Sequence, residues 1–322
     1  MKELSLYNRR SFIKKVSTVG ALAGLGGLQG FAQGRPRQEI KLTILHTNDV
    51  HSRIEPFPMD GSRLQGLGGV ARRSTLLKKI RNEENNVLLL DAGDMFQGTP
   101  YFNLFDGKVE LELMSKMGYD AGTFGNHEFD NGLNGLLKHF DKANFPFITS
   151  NYDFSNTVLA GKTKEYLVLE KSGLRIGIFA VGIKLDGMVD PNNHKGVNYL
   201  EPIPVANRLS KKLRIEEHCD IVICLSHIGY HYQTDQVSDL VMASQTRGID
   251  LIIGGHTHTF LDKPTEVKNL DGEITLVNQM GYGGVNLGRI DYYFDKKSGN
   301  KRYLAQHYTV DPSLPEDQKM WS

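Results

Sequence analysis

His46-Thr47-Asn48-Asp49-Val50-His51 follows directly on the apolar run Lys41-Leu42-Thr43-Ile44-Leu45. A short apolar run of that kind reads as a buried strand. The polar segment leaving it puts a carboxylate and an imidazole two residues apart, on one side while the chain stays extended, where the pair can grip a cation. The same arrangement recurs along the chain. Val87–Leu90 exits into Asp91-Ala92-Gly93-Asp94, where glycine lets the backbone turn before a second carboxylate. Ala121–Phe124 exits into Gly125-Asn126-His127-Glu128-Phe129-Asp130, Ile221–Leu225 into Ser226-His227, and Leu251–Ile253 into Gly254-Gly255-His256-Thr257-His258. Ligands of α/β sheets gather outside the carboxyl ends of strands. Five strand ends carrying such side chains therefore predict one shared site.

The surrounding pattern is α/β. Further strands are expected at Phe147–Ser150, Tyr166–Glu170 and Arg175–Val181, with helices at Val70–Arg81, Val109–Met117, Leu133–Phe140 and Val205–His218. Gly66-Leu67-Gly68-Gly69 is expected to start the first helix rather than to cradle a phosphate. After Pro264 the helical intervals thin out. Glu273–Val277, Gly288–Phe294 and Arg302–Gln306, separated by Asp271-Gly272 and Ser298-Gly299 turns, are expected to be antiparallel strands closing a sheet edge. The scheme is one domain over residues 41–312, preceded by a linker at 33–40 and followed by a polar tail, 313–322, expected to run as a linker. The chain shows no internal repeat and no heptad run.

Composition bounds the function classes. The chain has 322 residues, 39% hydrophobic and 23% charged, which is ordinary globular material. Lys2, Arg9, Arg10, Lys14 and Lys15 against Glu3 give residues 1–32 a formal +4, leaving −3 for the remainder of a chain at +1. Such a body carries no net positive charge to attract nucleic acid by counterion release. Asn8-Arg9-Arg10-Ser11-Phe12-Ile13-Lys14-Lys15 and the glycine-interrupted stretch Val16–Ala32 resemble a bacterial twin-arginine export signal with cleavage after Ala32. The expectation is an exported or periplasmic protein, with the export machinery as a transient partner. Cys219 and Cys224 are expected to be buried thiols, with their side chains on opposite faces of a strand.

Carboxylate, imidazole and amide oxygen without cysteine suit borderline to hard divalent ions such as Mn, Zn or Fe, and argue against a structural zinc knot. Two such cations ~3.5–4 Å apart clamp the attacking and leaving oxygens of an in-line displacement, which phosphate ester hydrolysis needs. In this order the five motifs resemble the catalytic domain of the 5′-nucleotidase branch of the calcineurin-like metallophosphoesterases, over Lys41 to Pro312.

That resemblance implies a four-layer α/β/β/α sandwich and two divalent metal ions. One would be held by Asp49, His51 and His258, the other by Asn126, His227 and His256, with Asp94 bridging them. A hydroxide between the cations would attack phosphorus in line. His127, off the metals, would contact the substrate phosphate and protonate the leaving oxygen, with Asp130 orienting it. His258 stands where the best known exported members have Gln. Nucleoside 5′-monophosphates are the expected substrates. A 2′,3′-cyclic nucleotide, a nucleotide-sugar pyrophosphate or a sulfohydrolase reaction is the alternative on the same site, and a metal-stabilised nucleotide-binding subunit is the non-enzymatic one. Full-length members carry a C-terminal domain with an aromatic clamp and arginines, so a separate nucleotide-binding domain acting in trans is an expected partner.

Other polar residues are assigned plainer roles. Asp91 is expected to shape a turn, Asn48 to cap the turn in preference to tuning Asp49 by a hydrogen bond, and Glu128 to be structural or to support the ligands from behind. His46, His139, His194, His218, His231 and His307 are assigned no chemistry.

Overall fold

A computed structural model describes residues 39–321, so the export signal expected over residues 1–32 lies outside the described residues. Along the chain run β1 (Glu39–Thr47), α1 (Val70–Glu83), β2 (Val87–Asp91), α2 (Pro100–Phe105), α3 (Lys108–Met117), β3 (Ala121–Gly122), α4 (Gly132–Lys138), β4 (Tyr152–Asp153), β5 (Tyr166–Lys171) and β6 (Leu174–Gly182). There follow β7 (Asn198–Tyr199), α5 (Pro202–Ile215), β8 (Ile221–His227), α6 (Asp239–Ser244), β9 (Leu251–Gly254), β10 (Thr265–Lys268), β11 (Ile274–Asn278), β12 (Asn286–Asp295) and β13 (Lys301–Thr309).

The strands form two main sheets, ordered β13-β12-β1-β2-β3 and β10-β11-β9-β8-β6-β5. Side-chain alternation divides the interior into three cores, and hence the molecule into four layers. From the first sheet Ile44, Leu88 and Leu90 point one way and meet Ile176, Ile178, Ile223, Leu225 and Ile253 of the second. Leu45 and Leu89 point the other way, against Leu77 and Ile80 of α1 and Leu111 and Met114 of α3. Phe179, Val181, Val222 and Ile252 of the second sheet pack outward on Leu209 and Leu213 of α5 and Met242 of α6. This is the expected α/β/β/α sandwich. Each fully buried Leu or Ile contributes about 1.5–3 kcal/mol.

Local chemistry fixes the helix ends. Pro202 opens α5, where its missing N–H has no partner to lose. At the end of α3, Gly118 takes the left-handed conformation with φ 72°. There the Arg81 guanidinium of α1 donates to the orphan carbonyls of Met117 and Gly118 at 2.6 and 2.7 Å, tying two helices of one layer together.

The structure departs from the sequence expectations at several places. Ala121–Phe124 is a strand only over Ala121–Gly122; Thr123 turns its hydroxyl to the Ile148 carbonyl and the chain peels away toward the site. Phe147–Ser150 makes isolated bridges at Phe147 and Ile148 rather than a strand. The strand at Ile274–Asn278 runs parallel to β9 and is antiparallel only to β10, whose Thr-Glu-Val-Lys sequence offers no apolar run. β12 lies inside the first sheet beside β1, leaving β13 as the edge. Cys219 and Cys224 are buried free thiols, as expected, but both face the α5 layer, because the strand starts at Ile221 and alternation does not reach Cys219. The tail does not run free. Asp317 accepts from the Ser74 hydroxyl at 2.7 Å and pairs with Lys78, its N–H donates to the Ala71 carbonyl, and Met320 is buried against the α1 layer.

Register places the site. Thr47 pairs with Asp91 and Asp91 with Gly122 in the first sheet; Gly182 pairs with His227 and Ser226 with Gly254 in the second. The parallel strands of each sheet thus end level with one another, and their exit loops meet.

Candidate active site

The exit loops converge through an unusual backbone. Among the described residues ten non-glycine positions have φ in the left-handed region, and five of them are Asp49, His51, Asp94, His256 and His258. Such conformations cost about 1–3 kcal/mol each and persist only where surroundings over-determine them. Asp49 and His51 therefore do not share a side through strand alternation, as their spacing suggested; two left-handed turns bring them together. Close approach also demands Gly125, where a Cβ would stand 2.2 Å from Asp94 Oδ1.

All seven predicted metal residues meet. The donor atoms of Asp49, His51 and His258 lie within 4.8 Å of one another, as do those of Asp94, His227 and His256. Asp94 also groups with His51 and His127, so it faces both sets. Asn126 Oδ1 is 2.9 Å from His256 Nδ1. Asp49, Asp94 and His227 are buried, whereas the side chains of His258, His127 and Asp130 are 40%, 32% and 28% exposed, which marks the open mouth of the cluster.

The residues fit a cation on their own chemistry. His227 Nδ1–H donates to the Ala92 carbonyl at 2.7 Å, which in the neutral imidazole leaves a lone pair on Nε2. That buried nitrogen has no hydrogen-bond partner, yet faces the Asp94 carboxylate at 3.0 Å. A neutral imidazole would set a lone pair against that carboxylate; against the effect of burial, Asp94 raises the His227 pKa to about 10, so the position calls for positive charge, which a proton or a bound cation supplies. His51 repeats the device, with Nδ1 on the Phe96 carbonyl at 3.2 Å and Nε2 facing His258 Nε2 at 2.9 Å. Backbone carbonyls like these are usual partners for the second ring nitrogen of metal-binding histidines.

The remaining groups hold these in place. His127 Nδ1 is 2.7 Å from Asp130 Oδ2, and the His127 N–H donates to Asp94 Oδ1 at 2.9 Å. Hydrogen bonding to Asp130 raises the His127 pKa to about 8, against the opposing effect of burial. Asn193 donates to the Asp130 main-chain carbonyl at 2.7 Å, bracing that segment from the loop after β6. Asp91 accepts from the Thr47 hydroxyl and the Gly93 N–H, and burial pushes its pKa up to about 7, consistent with its turn role.

Asn48 takes the less favoured of its two expected roles and bonds to Asp49. It donates to Asp49 Oδ2 at 2.6 Å and to the Gly281 carbonyl, and accepts from the Met280 N–H, so it orients a candidate ligand. Glu128 proves to be the staple of the site. Its two oxygens accept four main-chain N–H groups, from Asp94, Met95, Phe96 and Gly125, at 2.5 to 3.2 Å. A structural or supporting role is expected of Glu128, but its partners are not legible, because backbone donors leave no mark in side-chain types. His139, His194, His218, His231 and His307 join no metal-type cluster among the described residues.

With this geometry in place, comparison with known proteins is decisive. The family of calcineurin-like phosphoesterases matches residues 42–260. The chain belongs to that family. This phosphoesterase is 35% identical over 288 residues to the trifunctional nucleotide phosphoesterase YfkN of Bacillus subtilis, an overlap of 80% of the chain and 18% of that protein. It is 33% identical over 298 residues to the snake venom 5′-nucleotidase of Gloydius brevicauda, 86% of the chain and 49% of the relative. The solved 5′-nucleotidase precursor from Thermus thermophilus superposes with a TM-score of 0.78 at 32% identity, over 88% of this chain and 57% of that one. The phosphoesterase thus spans about half the length of such relatives, or less. Its β10 to β13, beyond residue 260, complete the same two sheets.

Proposed function

We propose that this protein hydrolyses phosphate monoesters, nucleoside 5′-monophosphates first, with two divalent cations of the Mn, Zn or Fe type. Asp49, His51 and His258 hold one, Asn126, His227 and His256 the other, and Asp94 serves both. The observation that carries the reading is the convergence of Asp49, His51 and His258, and of Asp94, His227 and His256, each set with its donor atoms within 4.8 Å of one another. Relatives named as nucleotide phosphoesterase and 5′-nucleotidase support the substrate class.

Cations bound there supply Lewis acidity toward phosphoryl oxygens and lower the pKa of water. The chain's own residues do the rest. Asp130 fixes the His127 tautomer and orientation through Nδ1. With its pKa raised to about 8, His127 carries a proton at neutral pH, which it gives to the departing alkoxide oxygen while its charge stabilises the phosphoryl group. We place export in the twin-arginine segment at residues 1–32, checked by fractionating cells that express the full chain and a variant with Arg9 and Arg10 replaced by Lys.

Phosphate release tests the substrate class. The metal-reloaded chain is offered AMP, UMP, 2′,3′-cyclic AMP, a UDP-sugar and an aryl phosphate. The reading requires fastest turnover on the nucleoside monophosphates. Turnover of the aryl phosphate alone assigns nucleotide specificity to a second polypeptide in trans. Stoichiometric metal with no turnover of any ester makes the protein a binding subunit and ends the enzyme reading.

A further inference from the structure

Three aromatic rings beside the site belong to none of the three cores. Phe57, Phe260 and Tyr282 are each half-buried and pack with neither sheet face. Tyr282 lies nearly parallel to the His258 imidazole, ring centroids 4.9 Å apart at 19°. It meets Phe57 at 6.0 Å and 90°, and Phe260 at 6.1 Å and 74°.

The position of Tyr282 is built, not incidental. Its neighbours Gly281 and Gly283 have φ 74° and 68°, and a Cβ on them would stand 2.3 Å from Phe260 and 2.6 Å from Phe57. Only glycine lets both rings close on the tyrosine. The Gly281 N–H donates to the Thr259 carbonyl at 2.9 Å and the Gly283 N–H to the Asp49 carbonyl at 2.7 Å, which ties this loop to two segments of the metal cluster.

Two guanidinium groups complete the rim. Arg53 lies 4.1 Å over the Phe57 ring and Arg63 5.4 Å over Phe260. Among the described residues neither has a carboxylate within 4 Å. Met59, on the same loop, is 78% exposed. A cluster serving only to pack a loop would be buried with its cations paired. Half-exposed rings carrying unpaired guanidinium groups bind planar aromatic molecules, since rings and guanidinium planes both stack and the N–H donors remain free for base edges or negative charge.

We propose that this rim, centred on Tyr282, is the subsite for the leaving group of the substrate and takes a nucleobase, so that this domain recognises a nucleoside without a second polypeptide. The inference rests on the phosphoesterase reading only for what the nucleoside is attached to.

The test uses the metal-loaded chain and two probes that divide the site: adenosine, a base with no phosphate, and inorganic phosphate. Calorimetric titration should show adenosine binding to the wild type. Tyr282→Leu and Phe57→Leu should weaken it about 5- to 100-fold, the range for losing a base–aromatic stack, with phosphate affinity unchanged. Tyr282→Phe, which keeps the ring, should retain adenosine. Adenosine that does not bind, or binds both leucine variants like the wild type, overturns the proposal. So does a parallel loss of phosphate affinity, which would mean that the ring only props His258. Adenosine binding without ester hydrolysis would count against the enzyme reading and leave the subsite standing.

Discussion

Glu128→Gln is the most informative perturbation, because Glu128 touches no substrate and yet ties together two loops of the site. Oε1 accepts from the N–H groups of Met95 and Phe96, Oε2 from those of Asp94 and Gly125. Burial and the neighbouring Asp94 push the Glu128 pKa up, while the N–H groups of Gly125 and Asp94 pull the other way. All four contacts are donors, leaving no acceptor for a carboxyl proton, so the site is built around the anion. A glutamine turned either way sets an amide NH₂ against two of those donors. Two orphaned buried N–H groups cost about 1–3 kcal/mol each, or roughly 2–6 kcal/mol in all. The loss falls on the segment that presents Asp94 and the carbonyl holding His51, and on the segment that presents Asn126 and His127. Metal affinity should therefore drop by about 10- to 100-fold or more, as for other residues that support metal ligands. Competition against a calibrated chelator reads the affinity, and thermal unfolding of the metal-stripped form reads the part of the loss independent of metal. Wild-type affinity together with an unchanged unfolding temperature would refute the reasoning.

Three further outcomes follow from the same geometry. His127→Ala should keep its bound metal but lose about 10²-fold or more in turnover, the magnitude of a lost general acid or charge-stabilising group; steady-state rates alongside elemental analysis check both halves. Asp130→Asn removes the carboxylate charge from the bond that raises the His127 pKa to about 8, so the alkaline limb of kcat/KM should move down toward the ordinary 6.5, and an unmoved limb would exclude His127 as the acid. Asp291, buried on β12, is opposed by burial, but Arg289, Thr43 and Lys41 hold its carboxyl below the ordinary 3.8. Its stabilisation is present above that value and is lost as pH falls through the lower folded pKa. Glu84 still pairs with Arg289 and Lys41 in its absence, so Asp291→Asn should cost about 1.5–3 kcal/mol at pH 7, the range for hydrogen bonds to a charged group, with the gap to wild type narrowing below about pH 4 in denaturant titrations.

What the sequence made legible was the chemistry at strand ends. Asp49, Asp94, His127, His227 and His256 announce themselves through side-chain type and through the apolar runs before them. The alternation of Leu88, Leu89 and Leu90 carries the layer arrangement. The backbone geometry was not legible. Left-handed turns at Asp49 and His51 give no signal in residue types that usually avoid them, and the extended picture brought the right residues together for the wrong reason. The Glu128 staple stayed hidden because its partners are amides. The Tyr282 rim stayed hidden because Phe57 and Phe260 reach it from distant loops, although Gly281-Tyr282-Gly283-Gly284 is a local sign of a specially shaped turn. The polarity of the tail masked a docked segment, since Met320 and the Asp317 side chain carry its contacts with α1.

The central claim is that one cation-holding cluster, shared through Asp94, performs ester hydrolysis. Its most direct test strips the protein of metal and titrates Mn back while following phosphate release from AMP, for the wild type and for Asp94→Ala. The account predicts no activity in the stripped wild type, activity rising to a plateau at two equivalents, and neither retained metal nor activity in the variant. Full turnover by the stripped protein, or two ions retained by Asp94→Ala, would contradict it.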